Sequence, residues 1–256
     1  MTEVWRLLDV EYPGRAGLNL AIEEALLRQI AKKKGMPVVR FWRNRNAVVV
    51  GYSQCVEAEV DLELCRAKSI DVVRRITGGG AVYHDLGNLN YSIIIESDHP
   101  LVKHLDIQES YDVFLSGVTA CLKKFGVNPK IDPPNSLLVQ DRKISGNAQV
   151  RKKWGILHHG TILVNSDLNT LSKVLKPSRK SKRQRGVPSK RRPVTNLSDE
   201  IAHEVSMYAV KETLRRSFEE VFSVKLADST LTSEEKEAAW VLYNEKYLRR
   251  EWNFWR

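Results

Sequence analysis

At 256 residues, with 42% hydrophobic and 28% charged side chains, the chain is long enough to bury on the order of 70–75% of its unfolded surface without a disulfide or metal staple. That composition is ordinary for a globular protein in water, and no window approaches the roughly 18 apolar residues of a membrane span. The net charge of +10 would suggest nucleic acid, but nine Lys and Arg residues fall in KPSRKSKRQRGVPSKRR, Lys176 to Arg192, leaving about +1 elsewhere.

The basicity is therefore local, and it lacks the interleaved aromatics of a nucleic-acid surface, so neither nucleic acid nor membrane is expected as a partner. The opening MTEVWRLLDVEYPGRAG has acidic residues where a secretory leader needs a basic region and an apolar run, which points to a cytoplasmic protein. Cys55, Cys65 and Cys121 form an odd set without C-x-x-C spacing, which argues against a disulfide framework and a zinc site.

In chain order, VWRLLDV predicts a strand. LNLAIEEALLRQIAKKKG places Leu18, Ile22, Ala25, Leu26 and Ile30 at helical spacing. PVVRFWR and AVVVGY predict strands around the turn-like NRN, VDLELCRAKS a short helix, and IDVVRR and LNYSIII strands on either side of a glycine run. Tyr111, Leu115, Val118, Leu122 and Phe125 fall on one face of a helix ended by Gly126. SLLVQDRKIS predicts a hairpin around Gln140 and Asp141, GILHHGTILVN a buried strand, and two helices, 203–222 and 232–247, close the chain. Strands in adjacent runs, rather than alternating with helices, favour an α+β fold with a mixed, mostly antiparallel sheet flanked by helices. Residues 1–256 are read as one domain with a basic loop at 176–193.

Three clusters could carry chemistry. RRITGGGAVYHD sets Arg75 ahead of Gly78, Gly79 and Gly80; a glycine run lets backbone N–H groups converge on an anion, although a plain turn between strands reads the same. DRKISGNAQ offers Lys143 beside Ser145 and Gly146; the competing reading is a surface lysine on a hairpin. In LHHGTILV, His158 and His159 are adjacent on a strand and point to opposite faces, so they cannot share one metal ion and only one can line a pocket.

Taken in order, RRITGGGAVYHDLGNLN, RKISGNAQ and HHGTILVNSDLNTL resemble the lipoate-protein ligase family, supported by LNLAIEEALL, VGYSQCVEAEVD, VTNLSDE and KYLRREWNF across the whole chain. The resemblance implies a catalytic domain like that of biotin-protein ligases and class II aminoacyl-tRNA synthetases. It implies activation of lipoate by ATP and Mg2+ to lipoyl-AMP, then transfer to a lysine of an E2 subunit of a 2-oxoacid dehydrogenase or of the glycine cleavage H protein. Carried over residue by residue, Arg75 and the N–H groups of Gly78, Gly79, Gly80, Ala81, Val82 and Tyr83 match the phosphate- and lipoyl-binding segment. Lys143 matches the lysine that contacts acyl and phosphate oxygens, His84 and His159 line the pocket, and Asn135 lies near nucleotide and Mg2+. Ser145, Gly146, Ala148 and Thr161 complete the walls, with Val82 and Val50 expected along an apolar tunnel for the dithiolane tail. The loop 176–192 matches an adenylate-covering segment; a solvated charge run is the plainer reading.

Two departures matter. Relatives that transfer octanoyl or lipoyl groups without ATP use a cysteine nucleophile, placed in one group just upstream of the segment matching PPNSLLVQDRK, and this chain has none there. Single-chain ligases also carry a further small C-terminal domain, so a separate accessory subunit is expected. An octanoyl- or lipoyltransferase using a thioester or preformed adenylate remains the alternative enzyme. A non-catalytic lipoate carrier or a nucleic-acid binder is the alternative outside enzymes.

Overall fold

The structure is a computed structural model that describes residues 2–32, 35–176, 188–190 and 192–255. Most of the basic loop expected to cover the site therefore lies outside the described residues. The first half of the chain runs β1 (Glu3–Asp9), α1 (Ala16–Ala31), β2 (Val38–Trp42), β3 (Asn46–Val50), α2 (Val56–Glu59), α3 (Leu62–Ala67), β4 (Asp71–Arg74), β5 (Val82–Asp85), β6 (Asn88–Glu96) and α4 (Ile107–Lys124). The second half runs β7 (Lys130–Asp132), β8 (Ser136–Val139), β9 (Arg142–Arg151), β10 (Gly155–Leu163), α5 (Leu168–Val174), α6 (Leu197–Glu200), α7 (Met207–Phe222), β11 (Val224–Asp228), α8 (Ser233–Leu242) and α9 (Arg250–Asn253).

Among the described residues, eight strands form one sheet in the order β11-β1-β2-β6-β10-β9-β8-β7, and β4-β3-β5 form a second. In the large sheet only β1 runs parallel to its neighbours, β11 and β2; the other pairings are antiparallel. This is the mixed, mostly antiparallel α+β arrangement expected. Strand β6 is buried on both faces, and its alternation divides the molecule: Leu89, Tyr91, Ile93 and Ile95 face one apolar cluster, while Ile94 faces another. Asn90 and Ser92 share the face of Ile94, so the buried amide and hydroxyl of mid-β6 lie on that side.

The first cluster is closed by α4 and α7. Helix α4 starts at Asp106, whose carboxylate accepts from Glu109 N while Glu109 reaches back to Asp106 N, a reciprocal cap. Its Phe114, Leu115, Val118 and Leu122 pack with Val210, Leu214 and Phe218 of α7 under the sheet. Gly117 makes this crossing possible: a Cβ there would lie 2.4 Å from Phe218 Cδ1, and that ring is stacked 5.3 Å from Phe222. Gly117→Ala should therefore cost about 1–3 kcal/mol by overpacking despite alanine's better helix propensity; an unchanged urea midpoint would count against this packing.

The second cluster holds α1, which is buried at Leu18, Ala21, Ile22, Ala25, Leu26 and Ile30 and also at Glu23 and Glu24. The sequence shows one apolar stripe; the structure covers the opposite face with α8 and the π-turn Tyr243–Tyr247. Glu24 is satisfied there by Lys246 at 2.7 Å, Arg28 at 2.6 Å and the Tyr247 hydroxyl at 2.8 Å. Among the described residues no helix is long and apolar enough to cross a membrane.

Candidate active site

The face of β6 and β10 turned toward α1 carries Asn90, Ser92, His159 and Thr161 between apolar neighbours. Between that face, the glycine loop and the β8–β9 hairpin lies a cavity of 630 Å³. An adjoining cavity of 660 Å³ shares the wall made by Ala81, Val82, Lys143, Gly146, Thr161, Ser189, Lys190 and Arg192. Of the residues named from sequence, Arg75, Gly79, Gly80, Ala81, Val82, His84, Asn135, Lys143, Gly146, Ala148, His159 and Thr161 line the first cavity. Tyr83 and Ser145 line only the second. Gly78 lines neither, and a Cβ added to it would meet nothing within 4 Å.

The glycine loop is shaped by Arg75. Its Nε donates to Thr77 Oγ1 (2.9 Å) and Gly78 O (3.1 Å), its Nη1 to Val49 O (3.1 Å), and its Nη2 to Gly78 O (2.6 Å) and Gly80 O (2.7 Å). Burial pulls its pKa down to about 10, so the fork stays charged. Sequence reasoning aimed this guanidinium at phosphate; here it grips the loop's carbonyls, and the N–H groups of Gly78 to Gly80 have no acceptor among the described residues. Gly79 needs its left-handed backbone, φ +86°. Gly51 is needed for closeness, since a Cβ there would lie 2.1 Å from Gly79 O. Gly51→Ala should therefore displace the loop, lowering stability by about 1–3 kcal/mol and weakening ligand binding at least tenfold; ligand calorimetry and a urea titration read the two effects.

Lys143 reaches the cavity because of a bulge. The β8–β9 register slips at Leu137/Leu138, so that Leu138 faces Lys143 and Leu137 faces Ser145. Ile144 and Ser145 both go to the helix side: Ile144 joins the first apolar cluster, and Ser145 Oγ accepts from Asn147 Nδ2. The extra residue thereby moves Lys143 to the face of Gly146 and Ala148; a regular strand would drive it into the core. Its backbone is clamped, Lys143 N to Pro193 O at 2.7 Å and Thr195 N to Lys143 O at 3.0 Å. Its ammonium lies over Gly146, where a Cβ would come within 3.3 Å of Nζ, and has no acceptor among the described residues. Burial lowers its pKa; Asp132 opposes the shift, and Arg192 and Arg75 add to it.

Beneath the cavity floor runs a buried relay. Glu23 of α1 accepts from Ser92 Oγ at 2.5 Å and faces His159 Nδ1 at 3.0 Å; His159 Nε2 meets Thr77 Oγ1 at 2.7 Å, which also accepts from Arg75. Burial alone would raise the Glu23 pKa, but the His159 charge and the hydrogen bonds from His159 and Ser92 outweigh it and hold it low. The relay joins the strand carrying His159 to the loop carrying the glycines. Sequence reasoning found neither Glu23 nor Thr77, because a Glu inside an apolar helix reads as its solvent side. As expected, His158 turns to the other face, among Tyr91, Tyr111 and Phe114.

Asn135 donates from Nδ2 to Asn147 O at 2.7 Å. Asp132, which sequence reasoning missed, lines the same wall and pairs with Arg192 at 2.8 Å. Among the described residues no group of three His, Cys, Asp or Glu side chains could hold a metal ion. The oxygens of Asp132 and Asn135 suit a Mg2+ that arrives on phosphates, which takes only one or two protein ligands. The apolar wall is made by Leu20, Trp42, Val49 and Val82. Val50 was expected there and instead points away into the third apolar cluster: Val49 and Val50 are successive strand residues and cannot share a face. Ser189 lies on the wall shared by the two cavities, its Oγ accepting from Ala81 N and Gln54 Nε2, both at 3.0 Å. None of the three cysteines lines either cavity. Burial raises the pKa of Cys65 to about 11 and of Cys121 to about 12, which keeps both as inert thiols.

The cavity thus joins an apolar wall, Leu20, Trp42, Val49 and Val82, to a cationic one, Lys143, Lys190 and Arg192. Sequence comparison identifies the family. The chain belongs to the lipoyl protein ligase family, its residues 15–219 matching the lipoyl protein ligase A/B catalytic domain. It is 34% identical to lipoate-protein ligase A subunit 1 of Thermoplasma acidophilum, over 97% of this chain and 95% of that protein. It is equally 34% identical to octanoyltransferase LipM of Carboxydothermus hydrogenoformans, over 98% and 99%. Among solved structures it resembles a lipoate protein ligase from T. acidophilum with bound lipoic acid (TM-score 0.85, 32% identity, 100% of both chains). It matches lipoate-protein ligase A bound with ATP as well (0.85, 32%, 99% of both). A third match is an archaeal bipartite lipoate protein ligase studied with its E2 lipoyl domain from T. acidophilum (0.84, 33%, 98% and 96%).

Proposed function

We propose that this chain is the catalytic part of a two-part lipoate-protein ligase. In the first step a lipoate carboxylate oxygen attacks the α-phosphorus of ATP and pyrophosphate leaves. In the second, the amine of an acceptor lysine attacks the acyl carbon of lipoyl-AMP, AMP leaves, and the nitrogen loses its proton. Lys143 carries this reading: a desolvated ammonium with no hydrogen-bond acceptor among the described residues, set between the glycine loop and an apolar cavity wall, stabilises negative charge on the acyl and phosphate oxygens as it develops. Mg2+ would neutralise phosphate charge when bound, with Asp132 and Asn135 as its protein oxygens. The acceptor is a lipoyl domain of an E2 subunit or the glycine cleavage H protein. The cationic Lys190 and Arg192 on the cavity wall favour an acidic one.

Octanoyl transfer from a thioester, the activity in the name of the LipM relative, would need a nucleophilic thiol at the cavity; the positions of Cys55, Cys65 and Cys121 favour the ATP route. The test is the intact mass of an apo lipoyl domain incubated with the protein, lipoate and Mg-ATP, beside a sample without ATP and one given preformed lipoyl-AMP. An ATP-dependent lipoyl increment means that the chain activates lipoate alone. An increment from lipoyl-AMP only means that activation needs the second part. No increment in any sample overturns the proposal.

A further inference from the structure

Of the two arginines ahead of the glycine run, only the second has so far been given work. Arg74, the last residue of β4, is fully buried and lines neither cavity. Successive residues of an extended chain point opposite ways, so the two guanidiniums part: Arg75 grips the glycine loop, and Arg74 grips the turn at residues 51–54. Its Nη1 donates to Gly51 O (2.8 Å), Tyr52 O (3.0 Å) and Gln54 O (2.8 Å). Its Nε donates to Trp252 O (3.1 Å) and its Nη2 to Asn253 O (3.0 Å). The same C-terminal segment holds the main chain of Arg74, whose N–H donates to Asn253 Oδ1 (2.9 Å) and whose carbonyl accepts from Trp252 Nε1 (2.9 Å). β4 is an edge strand of the small sheet, and these two side chains satisfy its outer edge as a neighbouring strand would.

The 51–54 turn is the seat of the glycine loop. Tyr52 N donates to Thr77 O (2.8 Å), and Gly51 lies so close to Gly79 that a Cβ on it would come within 2.1 Å of the Gly79 carbonyl oxygen. Gln54 ties the turn to the far end of the loop: its Oε1 accepts from Gly51 N (2.9 Å), and its Nε2 donates to the Ser189 Oγ that accepts from Ala81 N. A turn that shifts therefore takes the loop with it. We infer that Arg74 is a positioning residue for the glycine loop, anchored by Trp252 and Asn253, so that a segment 178 and 179 residues further along the chain sets how well the loop's N–H groups meet an anion. This rests on the reading of the loop as an anion site. The five N–H bonds of a planar guanidinium suit these carbonyls of two separate segments; the three of a lysine ammonium, gathered at one point, do not.

Amide hydrogen exchange at Tyr52 and Ala81, followed by NMR, reads the seating of the loop directly, because both N–H groups bond across it. Arg74→Lys should speed exchange at both on the order of tenfold. It should also raise the KM for lipoyl-AMP by about as much, with kcat changed less, since the loop's grip is made already in the ground state. Asn253→Ala, which removes the acceptor of Arg74 N and the bond from Asn253 Nδ2 to Tyr247 O, should act in the same direction by about threefold; it decides the matter alone if Arg74→Lys does not fold. Gly117→Ala, which strains the first apolar cluster instead, should leave both amides unchanged, because they exchange by local opening. Wild-type exchange rates in either variant that folds, or an equal rise in Gly117→Ala, overturn the inference, as does faster exchange with an unchanged KM. If the wild type transfers no lipoyl group from lipoyl-AMP, the ligase reading fails, and the exchange rates still decide whether Arg74 seats the loop.

Discussion

Lys143→Ala should lower lipoyl transfer from lipoyl-AMP by about 10²–10³-fold while leaving the urea midpoint no lower than that of the wild type. The two halves of this expectation have different causes. Activity falls because the acyl oxygen gains negative charge as the acceptor amine attacks, and Lys143 brings to the cavity a positive charge that is hydrogen-bonded to no carboxylate among the described residues. Stability holds because the ammonium is desolvated without a hydrogen-bond acceptor among the described residues; removing it abolishes a cost rather than a contact. The backbone bonds to Pro193 and Thr195 are indifferent to the side chain, so the clamp on β9 survives. Lys143→Arg should not rescue activity, since the space over Gly146 suits a compact ammonium and not a planar fork. Single-turnover transfer to an apo lipoyl domain checks all this, and Lys143→Ala retaining more than a tenth of wild-type activity would refute the role.

What the sequence made legible follows from the range of each signal. Periodicity found α1, α4 and α7, because their apolar residues recur within one helix, and the β-branched runs found β2, β3, β6 and β10. The hairpin at Gln140 and Asp141 was legible too, and both residues take positive φ, 47° and 64°, as a tight strand connection asks. Strand β11 and helices α5 and α9 were missed; they span four to seven residues, too few for a period, and are held by distant partners such as β1. The site divides in the same way. Motifs near in sequence, the glycine run and RKISG, announced themselves, and the adjacent histidines sorted onto opposite faces as strand geometry requires. Glu23, Thr77 and Asp132 matter through pairings across 136, 82 and 60 residues of chain, which no local pattern encodes. The bulge that turns Lys143 inward is likewise a property of the β8–β9 register and not of either strand alone.

Acidification from pH 7 to pH 5 should cost the protein about 4 kcal/mol of stability, a large share of the roughly 5–15 kcal/mol typical of a folded domain. The cause is two buried histidines on opposite faces of the fold. Burial, with the Arg75 and His159 charges adding to it, pushes the His84 pKa down to about 3; burial and His159 do the same to His158. In the unfolded chain both rings protonate as the pH falls below about 6.5, while in the folded protein they stay neutral until about pH 3. Below 6.5 the unfolded state thus binds two more protons than the folded one, so stability is complete above that pH. It then falls by about 1.4 kcal/mol per pH unit for each ring down to pH 3. The carboxylates held low, Glu23, Glu24 and Glu235, have the opposite kind of shift: their contribution persists until the pH drops below the ordinary carboxylate value of about 4.5. The interval from 7 to 5 therefore isolates these two histidines from them. His158→Phe, which keeps a ring among Tyr91, Tyr111 and Phe114 but binds no proton, should remove about half of the pH dependence. Urea titrations of both proteins at pH 7 and pH 5 measure it, and equal pH dependence in the two would show that His158 is not held neutral by the core.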